Sequence, residues 1–378
     1  MQMDEIELLK RFVKTDTSHP EGNEKRMTDI LCGLWPDTAE KTLIRHSDSR
    51  YSLIVRIKGR QKTPGTAFLA HIDTVAFGDR DLWTRDPLSA EIVGNELWGR
   101  GSVDMKGGCA AITAAGIELL GQGFVPEHDM LFCYTADEEE YGTGIRSMVS
   151  GGYLDGISRV IVCEPSGLKT GCCEKGCIWI SLRVTGCQSH ASRPEQGLNA
   201  AEGAIRIISE FKAGMDTSSL DSLLGRNTCS LTVFKSGVGS NIVPPSAEAV
   251  VDIRTIPGTS NEKLIEAFRE CCRKLCSEDP RWKAEAEVIN DRAAAGMDPD
   301  GEFTKSIMET ARSEGIETRP AGIYFYTDIS QVVGKLDVDF CIIGPGDELM
   351  CHKTDERIDV DQVKKAKKLY LALIKKLQ

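Results

Sequence analysis

The chain has 378 residues, with 46 Lys and Arg against 57 Asp and Glu, a formal net charge of −11 and 41% hydrophobic residues. A single hydrophobic core stops growing near ~250–300 residues, so this length points to two domains, and the apolar content excludes a disordered chain. The acidic balance argues against broad nucleic-acid binding, which needs Lys and Arg to displace counterions, and no apolar run approaches the roughly 18–20 residues of a membrane span.

The start, MQMDEIELLKRF, is acidic and amphipathic, unlike a signal peptide with its basic end and apolar run. The expectation is a cytoplasmic protein with neither a membrane nor a nucleic-acid partner. Helical spacing of Ile6, Leu9 and Val13 predicts a first helix over 4–14, and a second follows near 23–34. Strands are expected at 51–58 and 65–73; the second, TAFLAHIDTV, is the continuous apolar run of a sheet covered on both faces. The small residues of 107–120 predict a helix that packs closely on that sheet. Strands at 129–136 and 159–163 complete an alternating α/β pattern.

The pattern then changes. Strand 177–185, helix 198–213, strands 228–235 and 247–256, helix 260–276 and strand 283–289 read as a βαββαβ unit of ferredoxin-like type. Helix 302–314, strand 338–343 and helix 360–377 resume the α/β pattern. The expectation is a catalytic α/β domain in two pieces, 1–177 and 291–378, with a smaller α+β domain, 178–290, inserted between them. The lysines of the last helix (Lys364, Lys365, Lys367, Lys368, Lys375 and Lys376) read as a solvated cationic face. The fourteen cysteines are scattered, without paired CxxC spacing, and read as reduced thiols; Cys272 and Cys276, four residues apart on a helix, read as core packing.

Polar residues gather where the apolar strands end. His71 and Asp73 form HxD at the end of one, a spacing that puts both side chains on the same face and lets the carboxylate fix the imidazole tautomer. Alone, this reads more readily as a hydrogen-bonded surface pair. Asp104 lies in WGRGSVDMKGG just before a helix, and a carboxylate at that position would repel a pyrophosphate, so the glycines do not read as a phosphate loop. The run Asp137-Glu138-Glu139-Glu140 follows another strand, Glu164 a third, and His352 comes after strand 338–343. Open α/β sheets bind their ligands at this edge. Two imidazoles and three carboxylates suit two zinc ions if one carboxylate bridges, and the same donors admit Co²⁺ or Mn²⁺. A serine hydrolase built on Ser189 and His190 is disfavoured, since no GxSxG elbow is present.

The motifs HIDTV, GRGSVDMKGG, ADEEEYGTG, CEPSG, GCQSHASRPEQGLNA, SNIVPP and GPGDELMCHKTDE together resemble the aminoacylase/carboxypeptidase-like family of dinuclear zinc peptidases. That family includes acetylornithine deacetylase, succinyl-diaminopimelate desuccinylase, glutamate carboxypeptidase and di- and tripeptidases. The resemblance implies that His71 and Glu164 hold one metal, Glu139 and His352 the other, and Asp104 bridges them. It implies that Asp73 orients His71 and that Glu138 is the general base toward a metal-bridged water. It also implies that His190 stabilises the oxyanion across a homodimer interface formed by the inserted domain, and that Asn241 and Arg254 face substrate. A cis peptide at Asp104-Met105 is expected on the same ground. The segment AGIYFYTD departs from the glycine-rich stretch of many relatives, with Tyr324, Phe325 and Tyr326 forming an aromatic wall. The expected function is hydrolysis of an N-acyl amino acid or short peptide with a free carboxylate. A deacylase comes first, a di-, tri- or carboxypeptidase second, and a non-catalytic metal-binding protein on the same scaffold is the remote alternative.

Overall fold

A computed structural model describes residues 4–61 and 65–378; the first three residues of the amphipathic start lie outside it. The chain divides into two compact units: Met1–Cys173 with Gly296–Ile323 and Thr327–Gln378, and Glu174–Ala295 with Tyr324–Tyr326.

The first unit is built on a mixed sheet. In spatial order its strands are Glu40–Arg45, Tyr51–Ile57, Met130–Thr135, Gly65–His71, Ile157–Val162, Asp339–Ile342, Thr170–Glu174 and Ala295–Gly296, with Pro320–Ile323 also paired to Thr170–Glu174. Gly65–His71 runs parallel to Met130–Thr135 and Ile157–Val162, and Asp339–Ile342 is parallel to Ile157–Val162. Four strands therefore end at the same edge, with His71 opposite Thr135. Gly65–His71 and Met130–Thr135 are buried along their whole length, which explains their unbroken apolar sequences.

Helices Glu5–Val13, Gly107–Gly121 and Val360–Lys376 pack together, with Glu302–Ser313 against the last of them. Gly108 lets the second of these approach the sheet. A Cβ on it would stand 2.0 Å from the Cys163 carbonyl oxygen, so any larger residue pushes the helix away. The C-terminal helix corrects one expectation. Lys367 is only 5% exposed, and it pairs with Glu118 at 2.8 Å and Glu5 at 3.1 Å. It falls on the stripe Val363, Ala366, Tyr370, Leu373 and Ile374, which faces the core, so helical phase rather than charge decides its environment.

The second unit has the βαββαβ order. Its sheet runs Thr228–Ser236, Ser246–Thr255, Gly176–Thr185, Lys283–Arg292, with every neighbouring pair antiparallel. Helices Ala200–Gly214 and Asn261–Glu278 bury Ile207, Phe211, Phe268 and Leu275 against Ile178, Ile180 and Leu182 of the strands. Asn199 and Ser260 cap these helices by accepting N–H bonds from the first turn. The cysteines are all free thiols, with Cys272 buried and Cys276 half-buried. Among the described residues no helix is long and apolar enough to cross a membrane.

Candidate dinuclear metal centre

The edge where the parallel strands end collects the polar residues of the first unit. His71 is the last residue of its strand, and Asp73 follows two positions on. Asp104 sits in the irregular turn that leads into helix Gly107–Gly121, and its peptide bond to Met105 is cis. Gly101 starts that turn with φ of 80°, and a Cβ there would meet the Thr74 methyl at 2.5 Å, so glycine is required twice over. Glu138 and Glu139 follow Met130–Thr135, and Glu164 follows Ile157–Val162. His352, with φ of 63°, lies in the loop after Asp339–Ile342.

Asp104 is the centre of this group. Its Oδ1 lies 2.9 Å from His71 Nε2, and its Oδ2 lies 3.3 Å from His352 Nε2. His71 Nε2 also lies 3.5 Å from Glu164 Oε1, and His352 Nε2 lies 2.9 Å from Glu139 Oε2. A four-coordinate ion with ligands at about 2.0–2.1 Å spaces its ligand atoms roughly 3.3 Å apart, close to all four distances. Ligand atoms of His71, Glu138 and Glu164 gather within 4.8 Å of one another, as do those of His71, Asp104 and Glu139.

Charge decides whether these residues suit cations. Asp104, Glu138, Glu139 and Glu164 are four carboxylates, and two imidazolium groups balance at most two of them. Buried, uncompensated carboxylates are costly. Burial, then neighbouring carboxylates, pushes both Glu139 and Glu164 above the usual range. Hydrogen bonding to Asp104 and Glu139 raises His352 to about 11. Glu139 Oε1 and Glu164 Oε2 are buried without a hydrogen-bond partner among the described residues. The donor set of nitrogen and oxygen atoms therefore fits divalent cations. His71 is prepared for that role: its Nδ1–H donates to the Asp73 carbonyl at 3.0 Å, which leaves the Nε2 lone pair directed at the centre.

Asp73 does more than face His71. It is fully buried, and its carboxylate accepts the N–H groups of Glu138 and Glu139, each at 3.1 Å, and bonds His19 Nε2 at 2.9 Å. Burial alone raises its pKa, but the imidazoles of His19 and His71 outweigh burial and hold it well below the usual carboxylate range. His19 was not singled out from the sequence. It is 54 positions from Asp73 in the chain, and the only signal was that this protein has six histidines in all. Arg50 was missed in the same way; it bonds His19 Nδ1 at 3.0 Å and pairs with Asp137.

Glu24 completes the group. It is fully buried with both carboxylate oxygens lacking a hydrogen-bond partner among the described residues, and Arg50 Nε stands 3.9 Å from Oε1. Burial, then the Asp73 charge, raises its pKa from 4.5 to about 7. The folded protein thus holds a proton on Glu24 that the unfolded chain releases above 4.5, so this residue's contribution to stability falls as pH rises from 4.5 through 7. Glu24→Gln is expected to match wild type near pH 4.5 and to exceed it by roughly 3 kcal/mol near pH 8. Denaturant unfolding at both pH values checks this, and an equal difference at both would contradict it.

The remaining predicted residues lie in the second unit. His190 is exposed, and its Nδ1 accepts the Ser192 N–H at 3.1 Å. That bond leaves the proton of a neutral His190 on Nε2, the tautomer of an outward N–H donor. Asn241 is beside it, its backbone carbonyl accepting the Ala191 N–H at 2.9 Å. Arg254 is held by Asp252 through Nε at 2.8 Å and an amino group at 3.0 Å. Its guanidinium, like that of Arg292, lies over the Tyr326 ring, at 5.9 and 4.8 Å from the centroid.

The family model for peptidase family M20/M25/M40 matches residues 67–376. The chain belongs to this peptidase family. It is 27% identical over 390 residues to a probable succinyl-diaminopimelate desuccinylase of Staphylococcus aureus, covering 95% of this chain and 94% of that protein. An M20 family metallo-carboxypeptidase from Sulfolobus solfataricus, Sso-CP2, has the same fold, with a TM-score of 0.81 at 20% identity and 99% of each chain covered. The YXEP protein of Bacillus subtilis, described as a dinuclear metal binding peptidase from the M20 family, superposes with a TM-score of 0.72 at 16% identity, covering 99% of this chain and 98% of the other. Membership makes this M20 protein a metal-dependent hydrolase.

Proposed function

We propose that this M20 enzyme uses two divalent ions to hydrolyse the amide of an N-acyl amino acid or short peptide carrying a free carboxylate, and that its preferred reaction is deacylation. The observation that carries the reading is the Asp104 carboxylate, which turns one oxygen to each histidine, Oδ1 to His71 and Oδ2 to His352. On this reading His71 and Glu164 hold one ion, Glu139 and His352 the other, and Asp104 both; Zn²⁺ is the preferred metal. When bound, such a pair makes a water acidic enough to attack near neutral pH and polarises the scissile carbonyl.

The chain's own residues supply the rest. Glu138 takes the proton from the attacking water and returns it to the leaving amine. Asp73 fixes the His71 tautomer through the turn it anchors, and holds the backbone of Glu138 and Glu139 so that their side chains diverge. Arg254, already held by Asp252, pairs with the substrate carboxylate, and Asn241 faces the acyl portion. The desuccinylase-named relative supports the deacylase reading. A carboxypeptidase is the second reading, favoured by the fold of Sso-CP2. A screen of N-succinyl and N-acetyl amino acids against di- and tripeptides, after Zn²⁺ or Co²⁺ loading, separates the two. Turnover of peptides alone would remove the deacylase.

His190 donates its Nε2–H to the developing oxyanion from the partner in a homodimer joined through the inserted unit. The edge strand Thr228–Ser236 supports such an interface, since it exposes Leu231, Val233 and Phe234, an uncovered apolar edge of the kind that pairs with another chain. Mixing inactive His190→Ala chains with inactive Glu138→Gln chains should restore activity after subunit exchange, because one site of each mixed dimer is complete. No recovery despite proven exchange would exclude donation in trans.

A further inference from the structure

Glu356 is fully buried four residues beyond His352, yet its carboxylate serves the turn that carries Asp104. Oε1 accepts the Val103 N–H at 2.8 Å and the N–H of Asp104 itself at 3.2 Å. Oε2 accepts the Gly101 N–H at 3.0 Å and the Arg100 guanidinium at 2.8 Å. Two backbone carbonyls of the His352 loop add ties between the same segments. Gly99 N–H donates to the Glu356 carbonyl at 2.9 Å, and Arg100 reaches the Lys353 carbonyl at 3.0 Å.

The consequence is geometric. His352 and Asp104 come from segments about 250 residues apart in sequence, and each faces the other at the centre. His352 also sits in the left-handed backbone region, which a non-glycine residue keeps only when its surroundings enforce it. Three backbone hydrogen bonds to one carboxylate, beside the ion pair with Arg100, make the His352 loop and the Asp104 turn a single frame. We infer that Glu356 is a positioning residue that sets the spacing of His352 from Asp104, and through it the affinity for the ion shared by Asp104, Glu139 and His352. A glutamine here keeps the shape but replaces one oxygen with a donor. One of the two pairs of N–H groups then faces another N–H, and the frame loosens on that side.

This rests on the two-ion reading above, and the test keeps the two apart. Metal-free wild type and Glu356→Gln are titrated with Co²⁺, followed by calorimetry and by the visible absorption of bound Co²⁺. Wild type is expected to take up two ions. In Glu356→Gln the step that Glu139→Gln also impairs should weaken about 10–100-fold, the usual cost of removing an outer partner of a ligand, while the other step stays within about threefold. Turnover should fall at limiting Co²⁺ and recover in excess; because excess metal also stabilises a weakened fold, the unequal change of the two steps is what marks a positioning role. If Glu356→Gln does not fold because Arg100 is left uncompensated, the double variant Arg100→Met/Glu356→Gln removes both charges and carries the same expectation. Two ions in wild type with both steps unchanged, or equally weakened, in the variant overturns the inference alone. Fewer than two ions in wild type overturns the two-ion reading and this inference with it.

Discussion

Glu138→Gln is expected to leave the fold and metal uptake intact while lowering turnover by about 10²–10⁴-fold, the contribution of a positioned general base. The two neighbouring glutamates make this a sharp test, because they are adjacent in sequence and both N–H groups are held by Asp73. Their side chains nevertheless reach different partners. Glu139 Oε2 stands 2.9 Å from His352 Nε2, whereas the Glu138 carboxylate gathers with His71 and Glu164 and is 5% exposed. Glutamine has the size of glutamate and accepts no proton, so Glu138→Gln removes the proton shuttle alone. Glu139→Gln should instead lose one ion, and its activity should return in part with excess metal. If Glu138→Gln lost an ion and Glu139→Gln kept both, the roles of the pair would be exchanged.

What the sequence revealed follows from where each signal resides. The buried strands were readable because a strand covered on both faces must be apolar throughout, as Gly65–His71 and Met130–Thr135 are. The edge strand Glu40–Arg45 was not readable, since its sequence EKTLIR is mostly exposed and shows no apolar alternation. The short strand Thr170–Glu174 hid in a segment of small residues and cysteines for a related reason: TGCCE carries no β-branched stretch. His71, Glu139, Glu164 and His352 stood out because each comes after an apolar strand, and Asp104 because it lies in a glycine-rich turn before a helix; the structure brings all five together. His19, Arg50 and Glu356 did not. Each acts on a partner distant in the chain, and burial rather than a local pattern defines what it touches. Lys367 shows the converse, where a cluster of charge concealed one lysine whose helical phase turns it inward.

Asp104→Asn is expected to weaken the uptake of both ions, where each neighbouring change weakens one. The reason is the division of its two oxygens between His71 and His352. An amide offers one oxygen and one donor nitrogen, so it cannot face two cations. Glu164→Gln should impair the step that depends on His71, and Glu139→Gln the step that depends on His352. Proton release gives a second readout. In the ion-free protein, hydrogen bonds that His352 donates to Asp104 and Glu139 raise its pKa to about 11, so at pH 7 it carries a proton that an incoming ion must displace. Uptake should therefore release protons and strengthen as pH rises, measurable by calorimetry in buffers of different ionisation enthalpy. Asp104→Asn removes one of the two carboxylates that hold that proton and should release fewer. The loss in affinity should exceed the ~10–100-fold typical of an outer partner, because a ligand itself is altered. If Asp104→Asn weakened only one step, and matched Glu164→Gln or Glu139→Gln in proton release, Asp104 would serve a single ion and the shared carboxylate would have to be sought elsewhere in the cluster.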